Sequence, residues 1–269
     1  MTANRQVGAI TVTALTDAVG PFFSPRADAF PAATAEQWAD ADRLDPLSVD
    51  ENGEWRLQFR CYALRTDEGR TILIDAGIGG AGAPARSWAP VPGNLPAELA
   101  AAGIAPADVD TVIVTHLHTD HVGWAVDEGK PYFANATYLV PRADIEAVAT
   151  LNPALEDELL APLRHTGQLS MVDGDRDVAP HVRIVATPGH TPGHQSVLLA
   201  DHVLFTGDLL VHAIQLVDPT LAYAHEIDAA EARASRVARL GTHVGTLATP
   251  HLGEPFTPWP LPAPPASPR

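Results

Sequence analysis

The stretch Thr111–Gly123, TVIVTHLHTDHVG, runs an apolar, β-branched segment straight into His116, His118, Asp120 and His121. Imidazole nitrogens and carboxylate oxygens packed this densely are donors for a divalent transition metal ion, zinc above all. Side chains alternate along a strand, so His116 and His118 can face the same way at its end, while a following turn redirects Asp120 and His121 to a second point nearby. One short loop can thus feed two ions. An ion that takes four or more donors needs others from distant parts of the chain. Three residues hold the matching strand-to-loop positions: His190 in VATPGHTPGH, Asp208 in VLFTGDLL and His251 in LATPHLG. His194, close behind His190, reads as a support rather than a ligand. The chemistry of such a set is metal-assisted hydrolysis, because water on zinc ionises with a pKa near 7 instead of about 15.7.

The elements that would position these residues follow from the apolar patterning. Strands are expected at Val7–Leu15, Trp55–Leu64, Thr71–Asp75, Thr111–Thr115, Thr137–Val140, Val182–Thr187, Ser196–Leu199 and Val203–Thr206. Helices are expected at Leu95–Ala102 with Asn94 as cap, Arg142–Thr150, Asn152–Leu163 and Ala229–Leu240 with Asp228 as cap. Strands cluster before helices, which suits stacked sheets covered by helices better than a strictly alternating fold. One domain over 1–254 is expected. Within it, residues 17–54 form a long Pro-, Asp- and Ala-rich segment with a short helix near Ala35–Arg43, and loops of that length are often lids or pocket walls. Phe22, Phe23 and Trp88 are candidates to line an apolar substrate pocket. Residues 255–269 read as an extended Pro-rich tail.

Composition narrows the classes of function. The 269 residues carry 17 Lys and Arg against 33 Asp and Glu, a formal charge of −16, and no basic patch is visible, so a nucleic-acid backbone would be repelled. The N-terminus lacks a continuous apolar signal core, and no run approaches a membrane span, so a cytoplasmic location is expected. Cys61 stands alone, which rules out an intrachain disulfide or a thiolate cluster. Gly77, Gly79 and Gly82 spell GxGxxG, but Pro84, Pro90 and Pro92 break the helix that a dinucleotide site requires. Neither a GxSxG elbow nor a GxxxxGK[ST] loop occurs.

Taken in order, ILIDAG (Asp75), THLHTDH, TPGHTPGH, TGD and ATPH make the chain resemble the metallo-β-lactamase superfamily across roughly residues 55–253. That resemblance implies an α/β fold, the αββα sandwich of two mixed β-sheets packed face to face with helices outside. It also implies two divalent metal ions per chain, zinc favoured and Mn2+, Co2+ or Fe2+ as alternatives. One would be held by His116, His118 and His190, the other by Asp120, His121 and His251, with Asp208 bridging and Asp75 orienting ligand histidines. HVGW at 121–124, YFANATYLVPRADIE at 132–146 and GDLLVHAIQLVDP at 207–219 are similar to the branch of methyl parathion hydrolase-like enzymes and acyl-homoserine-lactone lactonases. Where those lactonases often place a carbonyl-polarising Tyr, three residues after the bridging Asp, this chain has Val211.

The implied function is a dinuclear hydrolase that attacks an ester, lactone or phosphotriester of a small apolar substrate with a metal-bridging hydroxide. Asp120 would relay a proton, and His212 is a candidate contact to the developing anion or leaving group, with plain packing as its alternative; Tyr223 is a further candidate. A glyoxalase II-like thioesterase, a diiron oxidoreductase and a non-catalytic metal-binding protein are the competing readings. A small-molecule substrate is the expected partner, without nucleic acid or membrane, and a homodimer is left open.

Overall fold

The apolar stretches pair into two mixed sheets in the computed structural model, which describes residues 3–261. The first sheet sets side by side β1 (Ala3–Val7), β2 (Ile10–Pro21), β3 (Arg56–Arg65), β4 (Thr71–Ile74) and β5 (Thr111–Ile113). After a short ribbon of β6 (Val126–Asp127) and β7 (Lys130–Pro131), β8 (Thr137–Pro141) and β9 (Leu169–Val172) complete it. The second sheet runs in chain order through β10 (Arg176–Ala179), β11 (Val182–Ala186), β12 (Gln195–Leu199), β13 (Val203–Phe205), β14 (Gly245–Ala248) and β15 (Phe256–Trp259). Helices α1 (Arg26–Ala29) and α2 (Ala35–Leu44) lie between β2 and β3, and α3 (Leu95–Ala101) lies between β4 and β5. Next come α4 (Arg142–Leu151), a π-helical turn at Glu156–Leu160 that leads into α5 (Ala161–His165), and finally α6 (Ile214–Val217) and α7 (Ala229–Thr242).

Strand periodicity sorts the core into layers. Ile72 and Ile74 of β4 face the inter-sheet core with Ile113, Leu139, Ile184, Val197 and Phe205. Leu73, between them, faces the other way, joining Val112, Tyr138 and the helix residues Leu99, Val148 and Leu163. On the far side, Leu204 and Leu247 pack with Ala41, Ile214 and Leu240. The result is the expected order of helix, sheet, sheet, helix. Strands β4, β5, β8 and β9 are mutually parallel, as are β13 and β14, so their C-terminal ends gather at one rim.

The structure departs from the sequence expectations in identifiable places. The single strand expected at Val7–Leu15 is a hairpin, because Gly8 turns the chain at φ 57°, and its second strand runs on through Pro21, into the stretch read as irregular. Strands β9 and β10 give little strand signal in the sequence because LSMV and RDVA are only four residues long and neither keeps a clean apolar–polar alternation. The Pro-rich tail begins with β15, where Phe256 pairs with Ala248; residues 262–269 of that tail lie outside the described residues. Asn94 gives α3 no side-chain cap. The buried carboxylate of Asp17 takes the Leu95 N–H instead, at 2.6 Å. Asp228 does cap α7, accepting from Ala230 and Glu231. No helix among the described residues is long and apolar enough to cross a membrane.

Candidate metal centre

The C-terminal ends of β4, β5, β11, β13 and β14 deliver Asp75, the His116–His121 loop, His190, Asp208 and His251 to that rim. The glycines beside them are there for space. A Cβ on Gly207, at φ 49°, would come within 2.8 Å of His194 Nε2 and 2.9 Å of Thr115 Cβ; one on Gly189, at φ 122°, would come within 2.0 Å of the Ala232 nitrogen of α7. Asp75 itself holds φ 60°, an uncommon conformation for a residue with a side chain, at the point where its carboxylate meets the histidine loop.

His116, His118, His190 and Asp208 present donor atoms that all lie within 4.8 Å of one another, and Asp120, His121 and His251 form a second such group. His118 Nδ1 is 3.0 Å from both His116 Nε2 and His190 Nε2. Two nitrogens bound tetrahedrally to one zinc stand about 3.3 Å apart, so this is close to ligand spacing. Asp208 lies between the groups. Its Oδ2 is 3.2 Å from His190 Nε2 and 3.7 Å from His116 Nε2, while its Oδ1 is 3.3 Å from His121 Nε2 and 3.1 Å from His251 Nε2. Each group thus faces a different oxygen of one carboxylate. Asp120 Oδ2 closes the second group at 3.5 Å from His121 Nε2 and 3.6 Å from His251 Nε2.

Hydrogen bonds behind the imidazoles decide which nitrogen faces inward. The Thr115 hydroxyl donates to Asp75 Oδ2 at 2.9 Å, so His116 Nδ1 donates to Thr115 Oγ1 at 3.0 Å. His121 Nδ1 donates to Asp75 Oδ2 at 2.9 Å, and His251 Nδ1 to the Gln58 carbonyl at 2.8 Å. With protons held there, the Nε2 lone pairs of all three point at the centre. His194 donates through Nδ1 to the Thr187 carbonyl, and its Nε2 accepts the Asp208 N–H at 2.9 Å, which holds Asp208 in place without joining either group.

The donor set fits cations. His121 Nε2 and Asp208 Oδ1 are buried and have no hydrogen-bond partner, an arrangement that is costly unless a positive charge meets them. Burial and the neighbouring His121 push the pKa of His116 well below the ordinary imidazole range, and burial and His190 do the same to His118, leaving neutral nitrogen donors. Burial alone would also lower His121 and His251. For His121 the carboxylates of Asp120, Asp208 and Asp75 outweigh it, and for His251 those of Asp208 and Asp120, so both are raised. Burial alone would raise Asp208, yet His251, His121, His190 and His116 hold it well below the usual carboxylate range. Carboxylate charge here calls for a positive partner, either protons or metal.

A cavity of about 200 Å³ opens over the two groups. Phe22, Phe23 and Trp88 line it, together with Leu57, Thr119, Asn152, Val211, Tyr223 and His225. The Trp88 indole donates to Thr119 Oγ1 at 3.0 Å, which ties this wall to the histidine loop. His212 requires correction. It is fully buried among the rings of Phe30, Trp38 and Trp55, its Nδ1 accepts the Ile214 N–H at 3.0 Å, and it does not line the cavity. Val211 faces the cavity, so its neighbour points away, and burial with nearby Arg26 pushes the His212 pKa down to about 3. Its surroundings are those of a packing residue, although its Nε2 is buried without a hydrogen-bond partner. Tyr223 takes the cavity position instead, its ring nearly parallel to that of His190 at 6.0 Å. His225, Asn152 and Thr119 went unread; Tyr223 and His225 alternate within one short loop, and that spacing was the available signal.

The family pattern of the metallo-beta-lactamase superfamily matches residues 56–251. An N-acyl homoserine lactonase of Bacillus sp is 33% identical over 155 residues, 52% of this chain and 57% of that protein. A hydroxyacylglutathione hydrolase of Acidiphilium cryptum is 35% identical over 119 residues, 44% of this chain and 42% of that protein. The chain thus spans only about half the length of the curated relatives it matches. Among solved structures, the hydrolase AbOPH of the beta lactamase superfamily superposes with a TM-score of 0.79 at 26% identity, over 96% of this chain and 92% of that one. AidC, a dizinc quorum-quenching lactonase, shares the fold with a TM-score of 0.77 at 20% identity, over 98% of this chain and 95% of that one. Since the matched span carries every residue of both donor groups, the chain belongs to the metallo-beta-lactamase superfamily.

Proposed function

We propose that this chain is a hydrolase that holds two divalent ions, zinc being the one its histidine-rich donors favour, and cleaves a lactone, ester or phosphotriester of small, largely apolar character. The observation that carries this reading is Asp208, one oxygen toward each donor group, beneath a cavity walled by Phe22, Phe23, Leu57 and Trp88. Bound there, two divalent ions supply Lewis acidity and a water that ionises near neutral pH.

The chain's own residues do the rest. Neutral His116 and His118 add no charge, and Asp120 and Asp208 would offset only part of the charge of two dications, leaving the site electropositive toward a carbonyl or phosphoryl oxygen. The aromatic wall excludes water and holds the apolar part of the substrate. Asp120, which lines the cavity, would accept the proton given up by the attacking water and pass it to the leaving group. Burial, then the carboxylates of Asp208 and Asp120, push the Tyr223 pKa well above 10, so its hydroxyl stays protonated and can donate to the oxygen on which charge develops.

A glutathione thioester is the second reading, favoured by the hydroxyacylglutathione hydrolase among the relatives. Against it, no Lys or Arg lines the cavity among the described residues, so the carboxylates of glutathione would find no cation. The deciding experiment compares kcat/KM on N-acyl homoserine lactones, aryl esters, an aryl phosphotriester, a glutathione thioester and a β-lactam, with metal content measured on the same sample. Preference for one of the first three with two ions per chain is expected. Turnover of the thioester alone, or fewer than two ions, would overturn the proposal.

A further inference from the structure

Asp144 lies in the first turn of α4, fully buried, and belongs to neither donor group. Its Oδ2 accepts the Leu117 N–H at 2.9 Å and the Thr191 hydroxyl at 2.8 Å, and its Oδ1 accepts the Gly193 N–H at 2.6 Å. Each donor is a sequence neighbour of a histidine at the centre. Leu117 separates His116 from His118, Thr191 follows His190, and Gly193 precedes His194, whose Nε2 holds the Asp208 backbone.

The Leu117 peptide is also gripped from its other side, where its carbonyl accepts the Asn152 side-chain amide at 2.8 Å, just past the end of α4. Gly193 is bare because a Cβ there would lie 2.8 Å from the Asp144 nitrogen and 3.0 Å from Asp144 Oδ1. Three donors converging on one buried side chain call for a carboxylate; an amide would offer one acceptor and turn its own N–H groups toward donors.

We propose that Asp144 is a positioning residue for the His116, His118 and His190 site, fastening the 116–118 turn to the 190–194 turn so that the three nitrogens stand at ligand spacing before an ion arrives. The inference rests on the two-ion reading above. The histidines of the other group are held by Asp75 behind His121 and by the Gln58 carbonyl behind His251, and Asp144 touches neither. Loss of Asp144 therefore acts chiefly on the His116, His118 and His190 site, and reaches the other only at one remove, through His194 and the Asp208 backbone.

The test titrates Co2+ and Zn2+ into the metal-free full chain, reading cobalt absorbance and calorimetry, for wild type, Asp144→Asn and the milder Thr191→Val. Asp144→Asn is expected to weaken one site about 10- to 100-fold, the usual cost of losing support behind metal ligands, and the other by much less; Thr191→Val shows a smaller loss at the same site. Adding Asp144→Asn to His251→Ala assigns the site, because the ion that remains must then be the weakened one. Thermal unfolding of the metal-free proteins separates a merely structural role, which lowers stability while leaving the ratio of the two affinities unchanged. Equal weakening of both sites, or of neither, overturns the inference while wild type still binds two ions. Should Asp144→Asn not fold, unchanged affinities in Thr191→Val overturn it. A wild type that binds fewer than two ions removes the two-ion reading and this inference together.

Discussion

His121 and His251 differ from His116 and His118 in the direction of their pKa shifts, and the difference sets a pH dependence for each donor group. In the metal-free chain the raised pair keeps its protons to higher pH than a free imidazole, and an ion must displace them, so affinity at the Asp120, His121 and His251 group rises with pH up to the folded-state pKa values. His116 and His118 are already neutral, and their group should respond less. On dialysis at stepwise lower pH, the second group is expected to unload first, visible as a plateau near one ion per chain; simultaneous release would contradict this. The same raised pKa values stabilise the metal-free fold below the unfolded value near 6.5, and that contribution is lost as pH rises through the folded values. The cavity supplies a second comparison. Tyr223→Phe is expected to lower kcat by roughly 100-fold or more, the usual cost of one oxyanion donor, with metal content intact. His212→Leu should leave kcat unchanged while costing about 1–3 kcal/mol in urea unfolding, because the Ile214 N–H loses its buried acceptor. Reversal of that pattern would restore His212 to the chemistry.

Among the elements, α7 shows how a buried charge can position a loop that lines the cavity. Ala232, Arg236 and Leu240 form its buried stripe, which places a guanidinium where an apolar residue is the norm. Arg236 donates to the carbonyls of Leu209 (3.1 Å), Pro219 (2.8 Å) and Leu221 (2.7 Å), and pairs with Glu226 at 2.7 Å. Glu226 in turn accepts the Tyr223 N–H at 3.1 Å. One side chain thereby joins the residue after Asp208 to the loop that carries Tyr223 and His225. Arg236→Met should cost about 3–5 kcal/mol, because Glu226 is left buried without its cation, and adding Glu226→Gln should recover part of the loss. A single-variant cost below about 1 kcal/mol in urea unfolding would show the pair to be energetically idle. Arg60 does similar work at the other end of the site, donating to the carbonyls of Thr249, Leu252 and Gly253 around His251.

For the molecule as a whole, the donor groups sit where the two sheets meet. His116, His118, Asp120 and His121 follow a strand of the first sheet, whereas His190, Asp208 and His251 follow strands of the second. Each group draws on both sheets, so an ion at either one acts as a cross-link between them. Binding to the folded state alone stabilises by about 2.7 kcal/mol per site at a hundredfold excess over Kd, and each kcal/mol shifts Tm by roughly 2–4 °C at this size. Chelation is therefore expected to lower the calorimetric Tm by roughly 5–10 °C for each ion removed, with recovery on adding zinc. A Tm indifferent to chelator would mean that the centre does not bind metal in the folded chain.

What the sequence determined by itself was the layered fold and which His and Asp side chains stand just past buried strands, because both are written locally. Strand periodicity puts Ile72 and Ile74 on one face and Leu73 on the other, and the spacing of His116 and His118 just past a buried strand marks them as neighbours at its end. Asp208 was legible by the same logic, as a carboxylate just past a buried strand. Only the tertiary structure decided that each Asp208 oxygen faces a different group, that His212 turns into an aromatic cluster while Tyr223 enters the cavity, and that Asp144 ties together two turns far apart in sequence. Those are long-range contacts: the direction of a side chain after a turn, and the identity of its partner, depend on packing against segments tens of residues away, and no spacing rule in a single stretch carries that information.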